Sequence, residues 1–349
     1  MRYRLLGPSG VRVSELCLGT MSFGDVWGFG APEKECFRIM DAFAEAGGNF
    51  LDTANKYHEG QSEEIVGAYL GADRDRWVVG TKFTLSMRNR DPNAAGSSRK
   101  NLRQSLEASL RRLRTDHVDL LWVHAWDYCT PIEEVMRALD DAVAAGKVLY
   151  VGLSDSLAWV AAEANARAGL RGWTPFVALQ AEYSLLERSA ERELLPLAGV
   201  HGLGVTAWAP MGAGILTGKY TRSTAPDSRR AAANAERLTE RNLAIAREVD
   251  RVAGELGATP AQVANAWVRE RPPGIIPVTG VRTTDQMDDL LGGVGLSLGD
   301  QHRSSLDEVS RIEYGFPYGL LGGPQGQLVY GDCEPLIDLP PEAPRRWAG

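Results

Sequence analysis

LGVTAWAPMGAGILTGK, residues 203–219, is the stretch on which the fold turns. Its opening, 203 to 208, is an apolar run of strand length, and a glycine cluster, MGAGILTGK at 211 to 219, follows at once. That run is the seventh of eight. The others lie at 14–19, 48–52, 77–82, 118–123, 148–153, 176–180 and 274–278, with helical segments between them. A doubly wound open sheet would carry a Gly-x-Gly-x-x-Gly turn after its first strand, and none follows residues 14–19. Barrels, by contrast, build phosphate sites from the loops after strands seven and eight. The chain therefore reads as an α/β protein, a (β/α)8 TIM barrel.

Helix signals agree with this alternation. Pro32 opens 32–46 before Gly47-Gly48, Thr130-Pro131 opens 130–145 before Gly146, and Ser62-Glu-Glu begins a helix ending near Gly71. Across 99–113, Leu102, Leu106, Leu110 and Leu113 recur three or four apart and define one buried face. The opening YRLLGPSGVRVS reads as a β-hairpin around Gly7 to Gly10, a plug for the N-terminal face of the barrel. Residues 1–312 are expected to form a single barrel domain. Three stretches, 83–98, 219–241 and 313–349, read as irregular. The last holds six prolines and seven glycines, and is expected to be an extended C-terminal tail.

Composition narrows the function. Of 349 residues, 44% are hydrophobic and 24% charged, as in ordinary globular proteins. The net charge of -7 repels nucleic acid and anionic membrane, so neither is expected as a partner, and an anionic ligand needs a local site. Residues 194–218 lack Asp, Glu, Lys and Arg, but Pro196, Pro210, six glycines and His201 interrupt them, against a spanning helix. The N-terminus breaks at Gly7-Pro8 before any apolar core of a signal peptide, and no transit peptide is expected. Cys17, Cys36, Cys129 and Cys333 are widely spaced, which fits a reducing, cytoplasmic setting. His58, His117, His124, His201 and His302 show no paired ligand spacing, so no metal is expected.

Four polar residues fall at or just beyond strand ends: Asp52 after NFL, Tyr57 five residues on, Lys82 closing WVVGTK and His124 closing VDLLWVH. A tyrosine is a poor acid near neutrality unless a neighbouring cation stabilises its phenolate, and Lys82 is expected to lower the Tyr57 pKa in this way. Asp52 would keep Lys82 charged and oriented, and His124 would bind a carbonyl oxygen or share its proton. Together they suit carbonyl reduction. Each also has a structural reading: an Asp52–Lys82 ion pair, a surface tyrosine, a satisfied barrel-end histidine. Trp27, in SFGDVWGFG, and Trp126 either line an apolar substrate pocket or simply pack. Tyr314, Phe316 and Tyr318 either close over that pocket, meet a partner or belong to a loose tail.

FLDTANKYHEGQSEEIVG, residues 50–67, resembles the aldo-keto reductase signature. The likeness continues through GTK at 80–82, DLLWVH at 119–124, GKVLYVGLSD at 146–155, LQAEYSLLER at 179–188, AWAPMGAGILTGKY at 207–220 and IPVTGVRTTDQM at 276–287. It implies NADPH-dependent reduction of an aldehyde or ketone to an alcohol, with catalytic roles for Asp52, Tyr57, Lys82 and His124. Tyr57 and His124, with Trp27 and Trp126, would also meet the small-molecule carbonyl substrate. It further implies that Ser154, Asp155 and Gln180 bond the nicotinamide carboxamide and that the ring stacks on Trp208, where many members have Tyr. Gly19, Thr20, Met21, Asp52, Ala209, Pro210 and Gly280 would border the cofactor. Met211 to Leu216, with Gly212 and Gly214, would hold the pyrophosphate, with Lys219 nearby. Arg282 would meet a ribose 2'-phosphate, favouring NADPH, and Gln286 and Asp289 would face the adenosine end.

Asp155 stands where Asn is frequent, and Leu290 where an adenine-contacting Asn is frequent, which puts cofactor affinity in doubt. The likeness extends to channel β-subunits and to bacterial aryl-aldehyde reductases. Two other readings stay open: a non-catalytic NADPH-binding regulatory subunit, and a Schiff-base lyase or aldolase using Lys82 as nucleophile. A homo-oligomer is compatible with the exposed barrel helices.

Overall fold

The computed structural model describes residues 1–221, 234–321, 329 and 331–338. An antiparallel hairpin, β1 (Tyr3–Leu5) and β2 (Arg12–Ser14), precedes eight parallel strands that close into a barrel. These are β3 (Cys17–Gly19), β4 (Phe50–Asp52), β5 (Val78–Phe83), β6 (Val118–Val123), β7 (Val148–Ser154), β8 (Phe176–Glu182), β9 (Gly204–Trp208) and β10 (Ile275–Thr279), with β10 pairing back onto β3. All eight expected strands are present. Residue 14 belongs to the hairpin instead, because Ser14 pairs with Tyr3.

Helices alternate with the strands: α1 (Glu33–Glu45), α2 (Gln61–Leu70), α3 (Arg99–Leu113), α4 (Ile132–Ala144), α5 (Ala158–Arg171), α6 (Leu194–His201), α7 (Glu240–Leu256), α8 (Pro260–Arg269), α9 (Thr284–Gly292) and α10 (Asp300–Val309). Helix α3 shows why these segments fold as they do. Ser98 caps its start by accepting from the Asn101 N–H, the four leucines are buried, and Arg114 ends it at φ 55°. Much of the expected irregular stretch 219–241 lies outside the described residues, as does most of the tail.

The barrel interior follows from strand alternation, which puts residues two apart on one face. Inward positions run Phe50 and Asp52, Val78 and Lys82, Leu120 and Trp122, Ala178 and Gln180, Ile276 and Val278. Their first members, with Trp122, Cys17 and Val177, pack around Leu6 and Val13. The hairpin is thus the plug of the N-terminal end. Gly7 is obligatory there: at φ 59°, a Cβ would lie 2.1 Å from the Val177 carbonyl oxygen. Above this apolar floor the interior turns polar, with Asp52, Lys82, Gln180 and Thr206 all buried.

Candidate active site

Adjacent strands β4 and β5 bring Asp52 and Lys82 together. The ammonium of Lys82, fully buried, has three hydrogens and three acceptors: an Asp52 carboxylate oxygen, the Thr53 carbonyl at 2.9 Å and the Tyr57 hydroxyl at 3.1 Å. Asp52 Oδ1 accepts from Gln180 Nε2 at 3.1 Å, and that nitrogen also faces Thr206 Oγ1 at 3.2 Å. The His124 ring stands edge-on to Tyr57, centroids 6.0 Å apart. Its backbone N–H is held by Thr84 Oγ1 at 3.0 Å, while Nδ1 is buried with no partner among the described residues.

Electrostatics corrects one expectation. Burial raises the Tyr57 pKa above the ordinary phenol value; Lys82 opposes this and Asp52 adds to it. Excluding water from the hydroxyl disfavours a phenolate more than one lysine favours it, because that lysine's charge is already shared with Asp52. Resting Tyr57 therefore keeps its proton. Burial pulls Lys82 downward, but Asp52 and Tyr57 outweigh it and leave the amine above its ordinary value. His124 is lowered to about 3 by burial and by Lys82, so its ring is neutral.

The residues expected around a cofactor line the same end of the barrel. Ser154 Oγ is buried with no partner among the described residues, and Ser154 lies opposite Gln180 in the sheet. Asp155, at φ 39°, accepts from the Trp208 indole N–H at 2.9 Å, and burial raises its pKa. Gly212, Ala213 and Gly214 are successive left-handed residues, at φ 56°, 54° and 89°. A Cβ on Gly214 would sit 2.9 Å from Lys219 Nζ, so glycine lets that ammonium approach the loop. The orphaned Ser154 hydroxyl and this cradle fit a nicotinamide dinucleotide. Among the described residues, the Arg282 guanidinium forms no ion pair with a carboxylate. Gly19 closes β3, Gly280 follows β10 and Met21 is 43% exposed.

Other expected residues are otherwise engaged. Thr20 bonds the Asp52 carbonyl at 3.1 Å and Ser62 at 2.8 Å, so its hydroxyl fastens the barrel. The N–H groups of Gly212, Gly214 and Leu216 close onto Ala209 and Met211, shaping the loop, and the Leu216 side chain is core. Pro210 is buried beside them. Gln286 Oε1 accepts from the Arg282 N–H at 2.9 Å. Asp289, expected at the adenosine end, bonds Thr259 and Gln262 at the start of α8. Trp126, expected on the pocket wall, is 7% exposed and packs in the core. Tyr314 and Tyr318 bond Glu191 and Glu193 beside α6.

Thr206 and the Gln180–Asp52 bond escaped sequence reasoning, although the period-two inward series of β8 and β9 carries the signal. Ser62 and Glu63 of the motif also prove to be fasteners: Ser62 ties Thr20 to Thr53, and Glu63 takes Thr81 and Arg112.

A family model described as the aldo/keto reductase family matches residues 15–311, nearly all of the barrel. The chain belongs to the aldo/keto reductase family. It is 38% identical to norsolorinic acid reductase stcV of Emericella nidulans, over 91% of this chain and 84% of that protein. It is 36% identical to an aryl-alcohol dehydrogenase (NADP(+)) of Phanerodontia chrysosporium, over 92% and 89%. As an aldo/keto reductase, the protein is an oxidoreductase of carbonyl chemistry, in a family that generally uses NAD(P)H.

Proposed function

We propose that the protein is an NADPH-dependent reductase of aromatic aldehydes or ketones in which Tyr57 gives a proton to the carbonyl oxygen. The observation that carries this is the orientation of one hydroxyl. Tyr57 accepts from Lys82, so its own hydrogen is directed away from the ammonium. The neutral His124 ring stands beside it, where a donor nitrogen can hold the carbonyl oxygen. When bound, the nicotinamide supplies the hydride that reduces the carbonyl carbon. As the proton leaves, Lys82, held by Asp52, stabilises the phenolate. Tyr57 then regains a proton from solvent. Ser154, Gln180 and Asp155 would orient the carboxamide, and Trp208 would support the ring.

Arg282 and the cofactor named for the Phanerodontia chrysosporium relative favour NADPH. The aromatic substrate class rests on the name of the aryl-alcohol dehydrogenase relative and on Trp27, whose ring is edge-on to Tyr57 at 6.4 Å. The four cysteines are unpaired, in keeping with a cytoplasmic enzyme. A Schiff-base lysine would need a free amine, whereas Lys82 is an ammonium with every hydrogen bonded.

Oxidation of NADPH and NADH with benzaldehyde, 2-naphthaldehyde and propanal tests the reading. Turnover should favour NADPH and the aromatic aldehydes. Arg282→Ala should weaken NADPH about 10-fold or more with NADH changed less than about 2-fold, consistent with loss of a charge-assisted contact to phosphate. Equal weakening of both would remove Arg282 from the 2'-phosphate. Cofactor binding without turnover on any carbonyl would instead support the regulatory-subunit reading.

A further inference from the structure

The turn that carries Tyr57 also grips the loop after β3. His58 is fully buried, and both its ring nitrogens are engaged. Nδ1 accepts the backbone N–H of Trp27 at 3.3 Å, so the ring hydrogen sits on Nε2 and is donated to the Met21 carbonyl at 3.1 Å. The Trp27 indole stacks on the imidazole, centroids 4.6 Å apart and 24° between planes, and Phe29 meets it edge-on at 5.5 Å. On either side Glu59 accepts from the Trp27 indole N–H at 3.2 Å and Gln61 accepts from the Asp25 N–H at 2.9 Å.

Backbone geometry makes the grip possible. His58, Glu59 and Gly60 are successive left-handed residues, at φ 48°, 57° and 101°, an unfavourable conformation for the first two. That reversal swings His58 back from the strand end toward residues 21–30. Gly24 lacks a side chain where the ring fits, since a Cβ would lie 2.9 Å from His58 Cγ. Burial also lowers the His58 pKa, keeping Nδ1 free to accept.

We propose that His58 is the positioning residue of the substrate pocket: it holds Trp27 and Phe29 as an aromatic wall in fixed relation to Tyr57, and so selects flat aromatic carbonyl compounds without touching them. The proposal rests on the reductase reading for its substrate, though not for its geometry. Phe29 is 40% exposed and Trp27 is half-buried, so both offer ring surface to a ligand at the mouth. One side chain thereby ties the wall to the proton donor's own turn.

The test compares His58→Ala with His58→Asn, whose amide oxygen can replace Nδ1 as acceptor. In His58→Ala, kcat/KM for 2-naphthaldehyde should fall at least about tenfold more than for propanal, through KM, and His58→Asn should recover most of that difference. Hydrogen exchange across residues 21–30 should quicken in the alanine variant and less in the asparagine one. Equal losses for both aldehydes, or unchanged exchange, would overturn the proposal. If His58→Ala does not fold, His58→Phe, which keeps ring volume without the acceptor, is read the same way. A wild type that reduces neither aldehyde would remove the reductase reading alone. The proposal would then stand on binding of 2-naphthylmethanol by calorimetry: tenfold weakening in His58→Ala supports it, and unchanged or absent affinity overturns it.

Discussion

His124 stands beside Tyr57 with a buried Nδ1 that no described residue satisfies, in a place where burial and Lys82 hold its pKa at about 3. The ring is therefore a neutral hydrogen-bonding group, and the proposed mechanism accordingly assigns the proton to Tyr57. Folding stability carries the same imprint. Between the unfolded value of about 6.5 and the folded value of about 3, the unfolded chain binds a proton that the folded one refuses. Stability from this site is thus complete above about pH 6.5 and is lost as pH falls toward 3. The melting temperature should drop from pH 7 to pH 5, and His124→Asn should flatten part of that slope, the rest belonging to groups such as His58. Identical slopes would show that His124 titrates normally. At this scale the sequence marks Asp52, Lys82 and His124 because each closes an apolar run, and Tyr57 by its spacing from Asp52. It does not mark the sign of the Tyr57 shift, which depends on how completely water is excluded.

Strands explain which residues meet, and why some signals were hidden. Gln180, at an inward position of β8, reaches Asp52 across the barrel and also bonds Thr206 of β9; the period-two series places both side chains inward, but only the closed barrel brings Gln180 to a partner 128 residues away in the chain. Gly152 shows the same at the level of packing. It lies on β7 where the register with β8 shifts, and a Cβ there would meet the buried Trp122 ring at 2.3 Å. In the sequence it is one glycine in an apolar run; only the closed barrel brings the indole over it. Gly152→Ala should overpack this layer and destabilise the protein by about 1–3 kcal/mol, measured by urea unfolding. An unchanged midpoint would mean that Trp122 has room to move.

The whole molecule is a plugged barrel with an apolar floor and a polar upper layer. Its strand count and the hairpin were legible in the sequence because strands buried on both faces give unbroken apolar runs, and because Gly7 to Gly10 marks a turn. Less legible was the division of the C-terminal face. Asp289 serves the cap of α8, Trp126 serves the core, and the 21–30 loop is built onto the turn that carries Tyr57, all through contacts between segments distant in sequence. The central claim is that this architecture serves one proton donor and one bound hydride carrier. Its most direct test is Tyr57→Phe, assayed for reduction of an aromatic aldehyde and for NADPH affinity by fluorescence titration. The account predicts a fall in kcat of about 10²–10⁴-fold with NADPH affinity within about twofold of wild type, the range expected for loss of a general acid. Full turnover in that variant would contradict it.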